Sequence, residues 1–197
     1  MTVPEAWEGA GFRILFVCTG NYCRSPMAER LARSALEPFP AIQVISAGTH
    51  ARPGRPLPEP TRRALARLGA DPEGFLSRLL TADLVAAADL VLTATAAHRS
   101  AVAAQHFPAA ARAFTIAEFG ALARAVPAAE VTRHEDPVRR ARALTERVCA
   151  LRGTVPVDRL DIPDPNGRSR WAYRAAGRRI ARSLAVPLRL LTLGPRP

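Results

Sequence analysis

Apolar positions along this chain fall into short continuous runs separated by longer segments with a helical period. Ile14-Leu15-Phe16-Val17 is interrupted by no polar residue, which predicts a strand buried on both faces over Arg13 to Val17. Ala41 to Ile45 follows Pro40 and carries Ile42, Val44 and Ile45. Asp89 to Thr95 carries Leu90-Val91-Leu92, and Ala113 to Ile116 is a shorter run of the same kind. The intervening segments predict helices. Pro26 to Leu36 places Met27, Leu31 and Ala35 on one side, and Glu59 to Leu68 sets Leu65 and Leu68 three apart before a Gly69 stop. Thr81 to Ala87 reads as a short capped helix, and Ala96 to Gln105 as a helix. Beyond Glu118 the pattern is mostly helical to Leu151, with Pro127 a breaker. Strands alternating with helices predict the α/β class, with a central four-stranded parallel sheet, helices on both faces and right-handed crossovers.

The ends of the chain lack a usable period. Residues 1–11, with Pro4, Gly9 and Gly11, predict a loose extension, 12–187 a single domain, and 188–197 a tail. Within the domain, 126–160 is an extended helical segment. Its Arg139, Arg140, Arg142 and Arg147 alternate with Glu130, Glu135, Asp136 and Glu146, the pattern of a solvated face. With aromatics at 6% of the chain against 48% hydrophobic residues, the core must be built from Ala, Leu and Val. The formal charge of +11 invites a nucleic-acid reading. All 28 basic residues are Arg, however, scattered without aromatic interleaving and outside any nucleic-acid motif, so no specific nucleic-acid partner is expected, although an anionic substrate would be drawn in. Three cysteines do not make a disulfide framework and fit a reducing compartment. No stretch approaches the roughly 18 apolar residues of a membrane span and the first residues lack a secretory pattern, so a cytoplasmic protein with no membrane partner is expected. No pattern in the sequence specifies an oligomeric state.

Chemistry concentrates in the polar loop between the first strand and the first helix, Val17-Cys18-Thr19-Gly20-Asn21-Tyr22-Cys23-Arg24-Ser25-Pro26. Ser25 reads as the helix cap and Pro26 as the first helical residue, which puts the loop amides at a helix N-terminus, where orphan donors and the dipole favour an anion. A nucleotide loop would need a Lys, and the chain has none. Instead Cys18 opens the loop and Arg24 closes it. The donors and the guanidinium favour a thiolate, so Cys18 is a candidate nucleophile, and Arg24 can hold two oxygens of one phosphoryl group. His98, His106 and His134 lack metal-ligand spacing, and no histidine is expected to be catalytic.

At these residues the chain resembles the low-molecular-weight protein tyrosine phosphatases, as an Arg-rich, Lys-free, actinobacterial-like member. The resemblance continues through Ser46-Ala47-Gly48-Thr49, Arg78-Leu79-Leu80-Thr81, Ala88-Asp89-Leu90-Val91-Leu92 and Asp161-Ile162-Pro163-Asp164-Pro165. It implies the strand order 2-1-3-4 and hydrolysis of a phosphate monoester through a phosphocysteine on Cys18. Thr19, Gly20, Asn21, Tyr22, Cys23 and Ser25 would join Arg24 around the phosphate, with Asp164 as general acid and base and Asp161 its rival on the same loop. Ser25 would hydrogen-bond the Cys18 sulfur, and Asn21 and Ser46 would brace the loop, Asn21 in a left-handed conformation. No metal or cofactor is implied. The substrate would be a phosphorylated protein or a small aryl phosphate.

Some positions depart from the family pattern. Asn166-Gly167 stands where many members carry an aromatic wall, Phe75 where several carry a bracing His, and the bulky Tyr22 could either replace the wall or narrow the mouth. Cys23 is either a packed small residue or the partner of Cys18 in a reversible disulfide, whereas Cys149 reads as buried. Three alternatives stay open. An arsenate reductase would need a further cysteine pair, a phosphoarginine phosphatase would favour a small Thr at the position of Tyr22, and a repurposed protein would act on or bind a small metabolite.

Overall fold

The computed structural model describes Trp7 and residues 11–193. Strand β1 (Phe12–Cys18) lies between β2 (Ile42–Gly48) and β3 (Leu90–Thr93), and β4 (Ala113–Thr115) pairs with the far side of β3. Every pair is parallel, with Ile14 opposite both Val44 and Leu90. The order β2-β1-β3-β4 is the one expected.

The unbroken apolar run of β1 follows from its central place, because its alternating side chains enter different cores. Phe12, Ile14 and Phe16 join the larger core, while Leu15 and Val17 join the smaller one. Over the larger core lie α1 (Arg24–Leu36), α2 (Glu59–Ala66), α5 (Ile116–Ala123), α6 (Ala128–Thr132), α7 (Pro137–Leu151) and α8 (Arg170–Thr192). Over the smaller lie α3 (Ala82–Ala87), α4 (Ala96–Gln105) and the 3₁₀ turn Phe107–Arg112. Thr81 and Thr95 cap α3 and α4, and Thr115 with Glu118 forms a capping box at α5.

Several expectations need correction. Helix α1 buries Met27, Ala28, Ala32 and Leu36, and Leu31 and Ala35 are only half-buried. The closest stripe is therefore the four-spaced one, in which Ala side chains let the helix lie low on the sheet. The stretch expected as a loose extension contains Trp7, which is buried in the smaller core and whose carbonyl accepts from Arg13 Nη2 at 2.9 Å. Apart from Gly11, the rest of it lies outside the described residues. The boundary placed at 187 falls inside α8, whose apolar stripe of Tyr173, Ala176, Ile180, Leu184, Pro187 and Leu191 continues past it. Pro187 cannot donate to the Ser183 carbonyl, and α5 approaches that oxygen at Gly120, where a Cβ would sit 2.2 Å away.

The segment 126–160 is not uniformly solvated. Arg140 is fully buried, its guanidinium 5.5 Å from the Phe39 ring centre and donating to the His134 carbonyl. Arg152 anchors the end of the segment by lying 3.7 Å above Phe114 and donating to the Ala113 carbonyl at 2.6 Å. Among the described residues no helix is long and apolar enough to cross a membrane. The carboxyl ends of β1, β2 and β3 converge on the loop that carries the candidate chemistry.

Candidate active site

Cys18 is the last residue of β1, and α1 begins at Arg24 rather than at Pro26. Cys23 occupies the cap position without a side-chain capping bond, so Ser25 lies inside the first turn and is not the cap. Its hydroxyl is used elsewhere. Ser25 Oγ accepts from Asn21 Nδ2 at 3.0 Å and lies 3.0 Å from Cys18 Sγ, with the Ala47 carbonyl as the alternative acceptor at 3.3 Å. Among the described residues no amide from Thr19 to Cys23 donates to a protein acceptor. The buried Arg24 Nε is likewise without a partner. Orphan donors wrapped around a helix N-terminus form an anion cradle.

Asn21 holds this arc open. It has φ of 54°, accepts from the Arg78 amide at 2.7 Å, and donates to Ser25 and to Ser46 Oγ, the latter at 2.7 Å. Ser46 in turn donates to Glu29 Oε2 at 2.6 Å. Burial pushes the Glu29 carboxyl above the usual range, against the opposing effect of that hydroxyl. The floor is Gly48, where a Cβ would meet the Thr19 carbonyl oxygen at 2.5 Å and the Asn21 nitrogen at 2.7 Å, so only glycine leaves the arc in place.

The structure separates the two aspartates. Asp164 Oδ2 accepts from Arg24 Nη2 at 2.6 Å, and Arg24 Nη1 reaches the Ile162 carbonyl at 3.4 Å. Asp161 instead accepts from the Ala96 amide at 2.8 Å and so serves the N-terminus of α4. Cys18, Thr19, Gly20, Tyr22, Cys23, Arg24, Asp164 and Asn166 line a cleft of about 140 Å³. Asn21 and Ser46, fully buried behind it, support it. Cys23 is free and buried, and burial raises its thiol pKa, as it does that of neighbouring Tyr173, pushed up to about 12. Cys18 is also free. Cys149, expected to be buried, is half-buried and contacts the Ala111 carbonyl just before β4, at the opposite end of the sheet from the loop.

One residue of the site was missed by sequence reasoning. His98 Nε2 lies 2.9 Å from Thr19 Oγ1, and His98 Nδ1 lies 2.7 Å from Thr95 Oγ1. Thr95 Oγ1 accepts from the His98 amide, and the neutral ring shares one proton between its contacts to Thr95 and Thr19. The signal was the pair Thr95 and His98 at the start of a helix following a strand that neighbours β1. Burial, and then the Arg24 charge, lower the His98 pKa to about 4. In the unfolded chain His98 would protonate near 6.5, so its contribution to stability is present above pH 6.5 and is lost as pH falls toward 4. His98→Gln should therefore lessen the fall in unfolding free energy between pH 7 and pH 4.5, read from urea titrations, by about 2 kcal/mol. An unchanged pH slope in that variant would show that His98 is not held neutral.

The family described as "Low molecular weight phosphotyrosine protein phosphatase" matches residues 13–151. A probable low molecular weight protein-tyrosine-phosphatase, EpsP of Ralstonia solanacearum, is 42% identical over 93 residues, 47% of this chain. The matched region spans 62% of that relative's length. The protein-arginine-phosphatase of Bacillus subtilis is 39% identical over 108 residues, 54% of this chain and 71% of the relative. Among solved structures, the arginine phosphatase YwlE from Geobacillus stearothermophilus superposes with a TM-score of 0.66 at 26% identity, over 90% of each chain.

Proposed function

Because the chain belongs to the low molecular weight phosphotyrosine protein phosphatase family, we propose that it hydrolyses phosphate monoesters, with phosphotyrosine in proteins as the substrate class. The observation that carries the reading is the cradle itself: a free thiol 3.0 Å from Ser25, unpartnered amides around it, and Arg24 closing the arc against Asp164. In the first step the Cys18 thiolate attacks phosphorus while the bond to the leaving oxygen breaks, and Asp164 gives that oxygen a proton. Arg24 and the loop amides hold the three equatorial oxygens as charge shifts among them. In the second step water attacks the phosphocysteine, Asp164 takes the water's proton, and the sulfur leaves with the Ser25 hydroxyl to stabilise it. The products are inorganic phosphate and free enzyme.

Thr19 Oγ1 accepts from Arg24 Nη2 at 3.4 Å and lies 2.9 Å from His98 Nε2, which ties the mouth of the loop to α4. Before substrate binds, Asp164 occupies the guanidinium that the phosphate needs, so binding exchanges one anion for another at Arg24, and the displaced carboxylate takes up from solvent or substrate the proton that it then gives to the leaving oxygen. Because the mechanism needs Cys18 as a free thiolate, it fits a reducing, cytoplasmic setting. The distance of Cys149 from the loop, at the other end of the sheet, argues against a cysteine relay of the arsenate-reductase kind.

Tyr22 favours an aryl phosphate over phosphoarginine, because its ring lies within 2.9 Å of where a Gly20 Cβ would be and so flanks the cleft beside Asn166. If that ring is the aromatic wall, Tyr22→Ala should lower kcat/KM for aryl phosphates about fivefold to tenfold and barely alter that for an alkyl phosphate. Equal effects on both would remove Tyr22 from recognition. Wild-type turnover of a phosphoarginine peptide at the rate of a phosphotyrosine peptide would replace the tyrosine reading with the arginine one.

A further inference from the structure

Beside the cleft, α2 and the start of α8 enclose a groove of about 280 Å³ lined by Arg63, Arg67, Arg168, Arg170 and Arg174, with Glu59 the carboxylate among them. Glu59 is already engaged, pairing with Arg63 at 2.6 Å and Arg62 at 3.6 Å. Among the described residues Arg67, Arg168, Arg170 and Arg174 have no carboxylate partner. Composition alone does not account for this. Several arginines elsewhere are engaged, Arg99 with Glu118, Arg147 with Glu130, and Arg112 with the carbonyls of Val85, Ala86 and Ala88. Arg170 and Arg174 also stack on the exposed Trp171, with their guanidinium carbons 5.6 and 4.8 Å from its ring centre, which restricts their rotamers. Like charges gathered without counter-charges repel one another and raise the local concentration of anions.

The groove is joined to the cleft on both sides. Arg168 is four residues beyond Asp164, so their Cα atoms are at most about 14 Å apart. Asn166, which lines the cleft, lies between them. Across the gap, Thr61 of α2 donates to the Tyr22 carbonyl at 3.0 Å, which fixes α2 against the loop. An extended peptide covers the same span in about four residues.

From this juxtaposition we infer that the arginine groove binds an acidic flank of the substrate polypeptide, Asp or Glu side chains within about four residues of the phosphorylated one. The inference rests on the proposed phosphatase reading and adds substrate selection to it. Steering and hold both come from partly exposed charges, so the effect belongs mainly to KM and weakens as salt shortens the Debye length.

The test compares phosphotyrosine peptides carrying three glutamates or three alanines on either side, with p-nitrophenyl phosphate as a substrate too small to reach the groove. At low salt the glutamate peptide should be preferred about fivefold to tenfold in kcat/KM, the size of a few exposed charge pairs. In the double variant Arg67→Ser/Arg174→Ser the preference should fall to within about twofold, while p-nitrophenyl phosphate turnover stays unchanged and so reports an intact fold. Arg168→Ser should give a partial loss. An unaltered preference in the double variant overturns the inference, as does an equal loss on p-nitrophenyl phosphate. So does competition for the groove by a short single-stranded RNA where a glutamate peptide fails to compete. Failure of the phosphatase reading would look different, since the wild type would then turn over no p-nitrophenyl phosphate.

Discussion

Cys18→Ser should lose at least about 10⁴-fold in turnover of p-nitrophenyl phosphate while still binding inorganic phosphate. The two halves of this expectation have separate physical origins. A hydroxyl at this position is a far weaker nucleophile than a thiolate, and no group beside it acts as a base strong enough to activate it. The neighbours of the sulfur are Ser25 Oγ and the loop amides, which are donors. Binding depends on other atoms. The amides of the arc are backbone groups, and Arg24 is held by Asp164 and the Ile162 carbonyl rather than by Cys18. Phosphate should therefore raise the melting temperature of the variant as it does that of the wild type. Residual turnover near the wild-type rate would end the phosphocysteine mechanism, whereas loss of phosphate protection would show that the sulfur helps to shape the cradle.

The second large effect belongs to Asp164. An acid matters most when the leaving group is poor, so Asp164→Asn should cost roughly a hundredfold or more on phosphotyrosine and distinctly less on p-nitrophenyl phosphate. Its ion pair with Arg24 adds a second signature. The carboxylate competes with phosphate for the guanidinium, and removing its charge should tighten inorganic phosphate binding by a few-fold even as kcat falls. Opposite movement of kcat and phosphate affinity is not expected from a residue that merely holds the loop. Asp161→Asn should show neither feature. Its carboxylate serves the Ala96 amide, so that variant should lose about 0.5–1 kcal/mol of stability at the start of α4 and keep its dependence on leaving group. If the leaving-group dependence moved to Asp161→Asn, the acid would have been misassigned and the Cys18 chemistry would stand.

Local sequence determined what local physics can encode. The run Ile14 to Val17 specified a central strand because no polar residue offers it a solvent face, and Thr81 fixed a helix start that the structure reproduces. Cys18 and Arg24, with five residues between them around a strand-to-helix turn, share one cradle because the chain between them is too short to part them. The order of the strands came from resemblance, since periodicity says nothing about neighbours in a sheet.

Tertiary structure decided what depends on distant partners. Ser25 looked like a helix cap as well as the sulfur's partner that the resemblance implied, and it is only the latter, held there by the buried chain of Asn21, Ser46 and Glu29. His98 is 79 positions from Thr19, and only the pairing of β3 with β1 brings it to the loop. The two aspartates of one loop, equal in residue type, are divided by what each faces: a guanidinium from α1 or an amide at the start of α4. Arg140 reads as a solvent-facing charge until Phe39 provides an aromatic face for it. The arginine groove is the same kind of fact, because Arg67 and Arg168 lie about a hundred residues apart and meet only where α2 packs beside α8. Spacing fixes which groups can meet within one turn of chain, and packing alone fixes which groups from distant segments share a dielectric, a hydrogen or a charge.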